Sequence, residues 1–275
     1  MCTLDGCDDG HGLPPVSVSP KERRLFLAGL ASLPLAAVLG HPELAAAQGA
    51  RATPLDIELP DGVTASGVIA MPATLPAPTV VLIHEWWGLN DQIRTMAAEL
   101  ADLGYIAYAI DLYGGEVAST PDEAKSLMGG VDPARATAQL VGAIEAMRVH
   151  EGSNGKVGTI GWCFGGGWSI NASTATAVDA TVVYYGQLPQ VADDVASLQG
   201  PVLGHFGTED ESIDEVMVGG FERAMDAAGK GDSLDVQWYT ANHAFANPTS
   251  ARYDQDDAEL AWTRTQTFFA RHLTG

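Results

Sequence analysis

A cysteine lies among glycines in the segment GWCFGGG, residues 161–167, and this arrangement is suited to nucleophilic catalysis. The apolar run KVGTI precedes it and a helical pattern follows, so Cys163 is expected on a tight turn from a strand to a helix. Such a turn strains its central residue, and glycines on both sides permit the close approach of neighbouring backbone. The sulfur would then project above the sheet at the positive end of a helix, which favours the thiolate.

A nucleophilic cysteine needs a histidine base and an acid that orients the histidine. On a strand-to-helix turn of this kind, the acid and then the histidine follow the nucleophile along the chain. Strand PVLGHFG ends in TEDES, which offers Asp210, and strand LDVQWYT ends in ANHAFAN, which offers His243. We predict that His243 holds Cys163 as thiolate and that Asp210 fixes the imidazole tautomer.

Other interpretations of the glycine turn are weaker. Gly161 and Gly165 enclose three residues, which does not fit the dinucleotide fingerprint, and no Lys-Ser/Thr pair follows as in a P-loop. A phosphate-binding turn with an incidental cysteine stays open on these local features. His205 is expected to be a packed core residue, and nothing in the pattern aims His84 at the sulfur. No spacing indicates a metal site, and we expect no cofactor.

The elements that must position these residues alternate along the chain. Two segments with alternating polarity, LDIELP and VTASGVIA, suit antiparallel strands at one edge. Continuous apolar strands and helices with capping signals then alternate over about 200 residues, which predicts an α/β fold with a mostly parallel sheet and helices on both faces. Thr120 and Asp132, each followed by proline, mark two helix starts, and Ser212 a third.

The first fifty residues resemble a twin-arginine export signal. Arg23 and Arg24 precede an apolar stretch that Pro34 interrupts and that is short for a membrane span. We predict a leader and flexible segment over 1–50, read by the twin-arginine export machinery, and a catalytic domain over 51–275. Cleavage is expected after Ala47, giving a periplasmic or secreted bacterial protein. An amphipathic N-terminal helix of the mature fold is the alternative.

Composition narrows the classes of partner. The chain has 275 residues, 46% of them hydrophobic, and a net charge of −21. This charge argues against nucleic acid and anionic membrane surfaces as partners of the mature form. Cys2 and Cys7 would leave with the leader, so Cys163 would be the sole cysteine of the mature chain and no internal disulfide could form. We expect a monomer that acts on a small molecule.

Six motifs in order carry a resemblance to a known family: HEWWGLN (84–90), DLYGG (111–115), GWCFGGG (161–167), YYG (184–186), GTEDE (207–211) and NHAFAN (242–247). Together they resemble the dienelactone hydrolase family, α/β-hydrolases with a cysteine nucleophile. The resemblance spans roughly residues 55–273. It implies the α/β-hydrolase fold and hydrolysis of an ester or lactone through a cysteinyl thioester, as a carboxymethylenebutenolidase-like enzyme.

The resemblance places the family's catalytic residues on Cys163, Asp210, His243 and Glu85. In the family, the glutamate contacts the resting thiol and is displaced when substrate binds. Glu85 also follows a buried strand at the sheet edge where such folds bind ligands, although a solvated loop acid is equally compatible with that position alone.

The remaining site residues are carried over in the same way. The backbone amides of Trp86 and Phe164 would form the oxyanion hole. Tyr185 matches a pocket-lining position, and Trp87 and Phe245 are assigned to the substrate pocket. Core packing is the alternative for both Trp86 and Trp87.

The chain departs from the family at its carboxylate-binding arginines. Gly114 and Gly115 stand where one arginine is expected, Asn247 stands at the place of another, and Arg94 is retained. We therefore expect a neutral or smaller ester, lactone or thioester as substrate. Rival functions are a non-catalytic binding protein of the same fold, a peptide hydrolase and, with less support, a thiol-redox protein, since the mature chain has no resolving cysteine.

Overall fold

One eight-stranded sheet organises the chain. The computed structural model describes residues 38, 39, 41–60 and 62–274. The strands are β1 (Thr53–Glu58), β2 (Thr64–Ala70), β3 (Ala77–Ile83), β4 (Ile106–Ile110), β5 (Ser153–Trp162), β6 (Ala180–Tyr184), β7 (Val202–Gly207) and β8 (Leu234–Tyr239). The α-helices are α1 (Pro42–Gly49), α2 (Asp91–Asp102), α3 (Pro121–Gly130), α4 (Pro133–Arg148), α5 (Phe164–Ala175), α6 (Ala192–Val195), α7 (Glu215–Ala227) and α8 (Gln255–Leu273).

The strand order is β1-β2-β4-β3-β5-β6-β7-β8. β1 pairs antiparallel with β2, and β2 pairs antiparallel with β4, while all pairings from β4 to β8 are parallel. This confirms the predicted fold class, with the two alternating strands at one edge. Because parallel strands end at a common edge, the loops after β3, β5, β7 and β8 come together there.

The central strands are apolar because helices cover both of their faces. All seven residues of β3 are buried. Val80 and Leu82 belong to a core cluster with Ile93 of α2, whereas Val81 and Ile83 belong to a second cluster on the other face of the sheet. The second cluster includes apolar residues of α4. The alternation of β3 side chains between two packed layers explains why its sequence shows no polar residue after Thr79.

Capping residues set the helix starts close to where the sequence predicts them. Thr120 and Glu123 form a reciprocal capping box at the start of α3, and the Asp132 side chain accepts from Arg135 N–H at the start of α4. The prediction for the third helix was wrong by two residues. Asp214 rather than Ser212 caps α7, because its carboxylate accepts from Met217 N–H.

The predicted leader lies mostly outside the described residues. The part that the structure describes contains α1, which packs against α2. The Thr95 hydroxyl donates to the carbonyl oxygen of Ala45, and Arg51 forms an ion pair with Asp102 at the end of α2. None of the helices in the described ranges is long and apolar enough to cross a membrane.

The turn after β5 is crowded enough to exclude side chains. A Cβ at Gly161 would overlap the carbonyl oxygen of Gly165, and one at Gly165 would overlap that of Ile83. Gly161→Ala should therefore lower the free energy of unfolding by about 1–3 kcal/mol, as overpacking does. In the matched change Gly129→Ala, the added methyl group meets no atom within 4 Å on α3. That variant should gain ~0.5–1 kcal/mol. Urea unfolding measures both, and equal stability of the two variants would contradict this account of the turn.

Candidate active site

Cys163 occupies a strained turn between β5 and α5. Its φ is 54° and its ψ is −117°, a conformation that residues with side chains rarely adopt. The backbone N–H of Cys163 donates to Tyr184 O, and its carbonyl oxygen accepts from Gly166 N–H, which hold the turn in place. Cys163 is half-buried and stands at the N-terminus of α5. The positive end of the helix dipole therefore faces the sulfur.

His243 and Asp210 meet beside this turn. The His243 Nδ1 atom lies 2.7 Å from Asp210 Oδ2, and His243 and Cys163 line the same pocket. The other carboxylate oxygen of Asp210 accepts from the N–H groups of Ser212 and Ile213. The structure thus brings together the three side chains that the sequence pointed to, although each follows a different strand.

The electrostatics of the pair favour a charged histidine. Burial lowers the pKa of His243, but hydrogen bonds to Asp210 and Cys163 and the charges of these two groups outweigh it and raise the pKa to about 10. Burial raises the pKa of Asp210, but His243 and the two backbone donors outweigh this effect and lower it below the ordinary value. The arrangement favours an imidazolium at His243, in the pocket that Cys163 also lines.

Glu85 lies at the end of β3 and is held by two donors. The Tyr185 hydroxyl donates to Oε1 at 3.2 Å, and the Asn247 amide donates to Oε2 at 2.6 Å. The side chain is buried, and burial raises its pKa, which the hydrogen bonds from Asn247 and Tyr185 only partly offset. Glu85 is therefore a buried carboxyl group in the site and not a solvated loop acid.

Two backbone donors are free beside the sulfur. Among the described residues, neither Trp86 N–H nor Phe164 N–H has a hydrogen-bond acceptor. Phe164 opens α5, where the first N–H groups of a helix have no internal partner. The loop that carries Trp86 is braced by His84, whose Nδ1 bonds to Glu85 O and whose Nε2 accepts from Leu112 N–H. The two sites predicted for an oxyanion hole are thus available.

The second fully buried histidine of the described residues, His205, does not line the pocket. His205 is fully buried and bonds to Tyr239 through Nδ1 and to Thr265 through Nε2. Burial lowers its pKa to about 3, so it stays neutral. This is the packed core residue that its position within a strand predicts. Over the described ranges, no group of three or more His, Cys, Asp or Glu residues could hold a metal ion.

A pocket of about 1270 Å³ opens over Cys163. Tyr185 and Trp87 line it, as predicted. The prediction for Phe245 was wrong. Phe245 is fully buried and packs behind Tyr185, with ring centroids 5.6 Å apart, because its loop turns inward after His243. It supports the pocket wall rather than forming it.

The sequence interpretation missed several lining residues. Trp168 lies one helical turn after Phe164 on α5, with ring centroids 6.0 Å apart, and helical periodicity could have found it. Met128 comes from α3, and no sequence signal points from that helix to the site. Within the described part of the lining, the carboxyl and guanidinium groups are those of Glu85, Asp194 and Arg252.

The structure shows what occupies the positions of the family's carboxylate-binding arginines. Asn247 points to Glu85 and so completes the hydrogen bonding of this buried carboxyl group. Gly114 and Gly115 both have positive φ in the loop after β4. Arg94 lies on α2 with its Cβ against Gly49 and is not part of the described lining. The arginine that does reach the pocket, Arg252, forms no ion pair with a described residue.

A mostly parallel sheet with a strained cysteine turn after β5, an acid after β7 and a histidine after β8 is the arrangement of an α/β-hydrolase. The family model described as "Dienelactone hydrolase family" matches residues 65–273. The chain belongs to this family and is a hydrolase of the dienelactone hydrolase type.

Comparisons with individual proteins agree with this assignment. The chain is 31% identical over 231 residues to the carboxymethylenebutenolidase of Pseudomonas putida, which covers 78% of this chain and 95% of that protein. It is 28% identical to carboxymethylenebutenolidase 1 of Cupriavidus pinatubonensis, over 74% of this chain and 89% of that one. The crystal structure of a dienelactone hydrolase-like promiscuous phosphotriesterase from metagenomic libraries superposes with a TM-score of 0.73 at 25% identity, covering 81% of this chain and 98% of that chain.

Proposed function

We propose that the protein hydrolyses an ester or lactone through a thioester on Cys163, with His243 and Asp210 completing a catalytic triad. One observation supports this most strongly. Asp210 Oδ2 lies 2.7 Å from His243 Nδ1, and His243 shares one pocket with Cys163 and with Trp86 and Phe164, whose N–H groups have no acceptor among the described residues. The names of the curated relatives favour a lactone of the carboxymethylenebutenolide type.

In the first half of the reaction, the Cys163 thiolate attacks the substrate carbonyl carbon. The carbonyl oxygen becomes an oxyanion, which the N–H groups of Trp86 and Phe164 can bind. Removal of one such donor typically costs ~3 kcal/mol of transition-state stabilisation. The C–O bond to the leaving oxygen then breaks, His243 donates the proton to that oxygen, and the thioester remains.

In the second half, water attacks the thioester carbonyl. His243, now neutral, accepts a proton from that water, and Asp210 stabilises the resulting imidazolium. The C–S bond breaks, the acid leaves, and the thiolate–imidazolium pair is restored. A thiolate is a good leaving group, so cysteine suits substrates whose own leaving group is weakly basic, such as enols.

The pocket indicates which substrates to test. Its aromatic wall of Trp86, Trp87 and Trp168 and its volume of about 1270 Å³ accommodate more than a small ester. A panel should pair neutral and carboxylate-bearing esters with the same leaving group, and add enol lactones, a thioester and a phosphotriester. Turnover of at least one ester or lactone by the wild type, and of none by Cys163→Ala, supports the proposal. Equal rates in the two proteins would contradict it.

The charged state of His243 makes stability depend on pH. Its pKa is raised in the folded state from an ordinary 6.5 to about 10. The stabilisation is therefore fully present below the unfolded pKa and is lost as pH rises through about 10. We expect the difference in free energy of unfolding between wild type and His243→Gln to shrink steadily from pH 6.5 to pH 10. Urea unfolding at fixed pH values measures it, and a difference independent of pH would exclude this charge pair.

We also propose export by the twin-arginine route, which the pattern around Arg23 and Arg24 supports. The bond between Ala47 and Gln48 lies inside α1, and Gln48 is buried, so a cut there after folding requires α1 to unwind. Replacing both arginines with lysine should retain the protein in the cytoplasm. N-terminal sequencing of the exported form locates the cut, and export that survives the double replacement would contradict the route.

A further inference from the structure

Both oxygens of the buried Glu85 carboxyl group have a donor, and neither donor is the thiol. Tyr185 donates to Oε1 and Asn247 donates to Oε2. Within the part of the chain that the structure describes, no hydrogen bond joins Glu85 to Cys163. This differs from the resting contact between glutamate and thiol that the family resemblance implies.

The Asn247 amide can present only one end to Glu85. Its Oδ1 atom accepts from the N–H of Thr249 at 2.9 Å and from the Thr249 hydroxyl at 2.7 Å. Rotating the amide by 180° would break both bonds and turn an oxygen towards the carboxyl group. Thr249 thereby fixes the donor end of Asn247 on Oε2, and Asn247 is itself buried.

The same loop carries the histidine. The Asn247 N–H donates to Ala244 O, and Ala244 has a φ of 64°, so a tight turn links His243 to Asn247. The base and the partner of Glu85 are therefore set by one short segment. The titratable and charged groups that act on Glu85 are Tyr185, in the loop after β6, and His243 and Arg252, both in the loop after β8.

We propose that Asn247 is a positioning residue that keeps Glu85 on Tyr185 and away from Cys163. A carboxyl group released from Asn247 could turn to the sulfur and share its proton, in competition with His243. This inference rests on the proposed function, since it assigns the active pairing to Cys163 and His243.

Alkylation of the full-length protein by iodoacetamide between pH 5 and pH 10 tests the proposal. The profiles of wild type and of Glu85→Gln are the two references. In Asn247→Ala, the midpoint of the profile should move up by about one pH unit, which slows alkylation about tenfold below the midpoint. The matched control is Asn154→Ala, at the end of β5 that lies away from Cys163. The side-chain amide of Asn154 also forms hydrogen bonds through both its nitrogen and its oxygen. It should match wild type.

A double variant separates positioning from a general structural role. In the Glu85→Gln background, Asn247→Ala should cause no further shift, because its effect runs through the Glu85 carboxyl group. Asn247→Gln, which retains a donor amide, should recover part of the wild-type profile. An unchanged profile in Asn247→Ala, or the same shift in the Glu85→Gln background, would overturn the proposal.

A second variant is available. If Asn247→Ala does not fold, Thr249→Val serves instead, since it removes one of the two bonds that fix the amide and should shift the profile in the same direction by less. The readout is alkylation and not turnover. Failure of the proposed hydrolysis would appear in the substrate panel with Cys163→Ala, whereas failure of the Asn247 assignment appears only in these pH profiles.

Discussion

Replacing Cys163 with alanine should lower kcat/KM for the best ester or lactone by on the order of 10⁴-fold or more. In the proposed mechanism, the Cys163 sulfur forms the bond to the substrate. Among the described residues of the site, no other nucleophile stands at the N-terminus of a helix. Initial rates across the substrate panel measure the loss.

The fold should survive this change. Cys163 is half-buried, and its backbone hydrogen bonds do not depend on the sulfur. The free energy of unfolding should stay within about 1 kcal/mol of wild type. Cys163→Ser is the conservative control and should retain only weak activity, because a hydroxyl does not ionise beside His243 as a thiol does. Full activity in Cys163→Ala, with the variant verified by mass, would refute the assignment of the nucleophile.

Asp210→Asn should lower kcat by on the order of 10⁴-fold, as loss of the acid does in an analogous serine triad. The Asp210 Oδ1 atom accepts two backbone N–H groups, from Ser212 and Ile213. An asparagine must keep its carbonyl oxygen on these donors and so turns its amide nitrogen towards His243 Nδ1. That forces the histidine into the tautomer whose Nε2 carries the proton and cannot act as a base towards the thiol or water.

The same variant should change the pH dependence in a defined direction. The hydrogen bond from Asp210 and its charge are among the causes that raise the pKa of His243. Without them, the alkaline limb of the residual activity should move to lower pH. Glu211→Gln, on the same loop but exposed, is the matched control and should leave rate and profile unchanged. An Asp210→Asn enzyme with a wild-type rate and profile would show that Asp210 does not orient His243.

The fold class could be predicted from the sequence because each strand and helix carries its own local signal. Seven consecutive buried residues in β3, the alternating strands β1 and β2, and the capping box at Thr120 each determine their own element. The shift of the α7 start from Ser212 to Asp214 also has a local cause. Both residues can cap a helix, and Asp210 already engages the Ser212 N–H.

Site residues could be predicted only where their order along the chain determines their place in the sheet. Cys163, Asp210 and His243 each follow a parallel strand, so their convergence follows from the topology. The bond between Asn247 and Glu85 joins residues 162 positions apart and depends on the path of the loop after β8. The same path buries Phe245, which the sequence assigns to the pocket. No periodicity in the sequence predicts the path of this loop.

Rapid-quench mass spectrometry during turnover of an aryl ester shows whether Cys163 carries the acyl group. Samples quenched in acid at successive times would be digested and mapped. We expect an acyl group on the peptide that contains Cys163, formed and lost at rates that match turnover. An acyl group on another residue at those rates, together with undiminished turnover by Cys163→Ala, would contradict it.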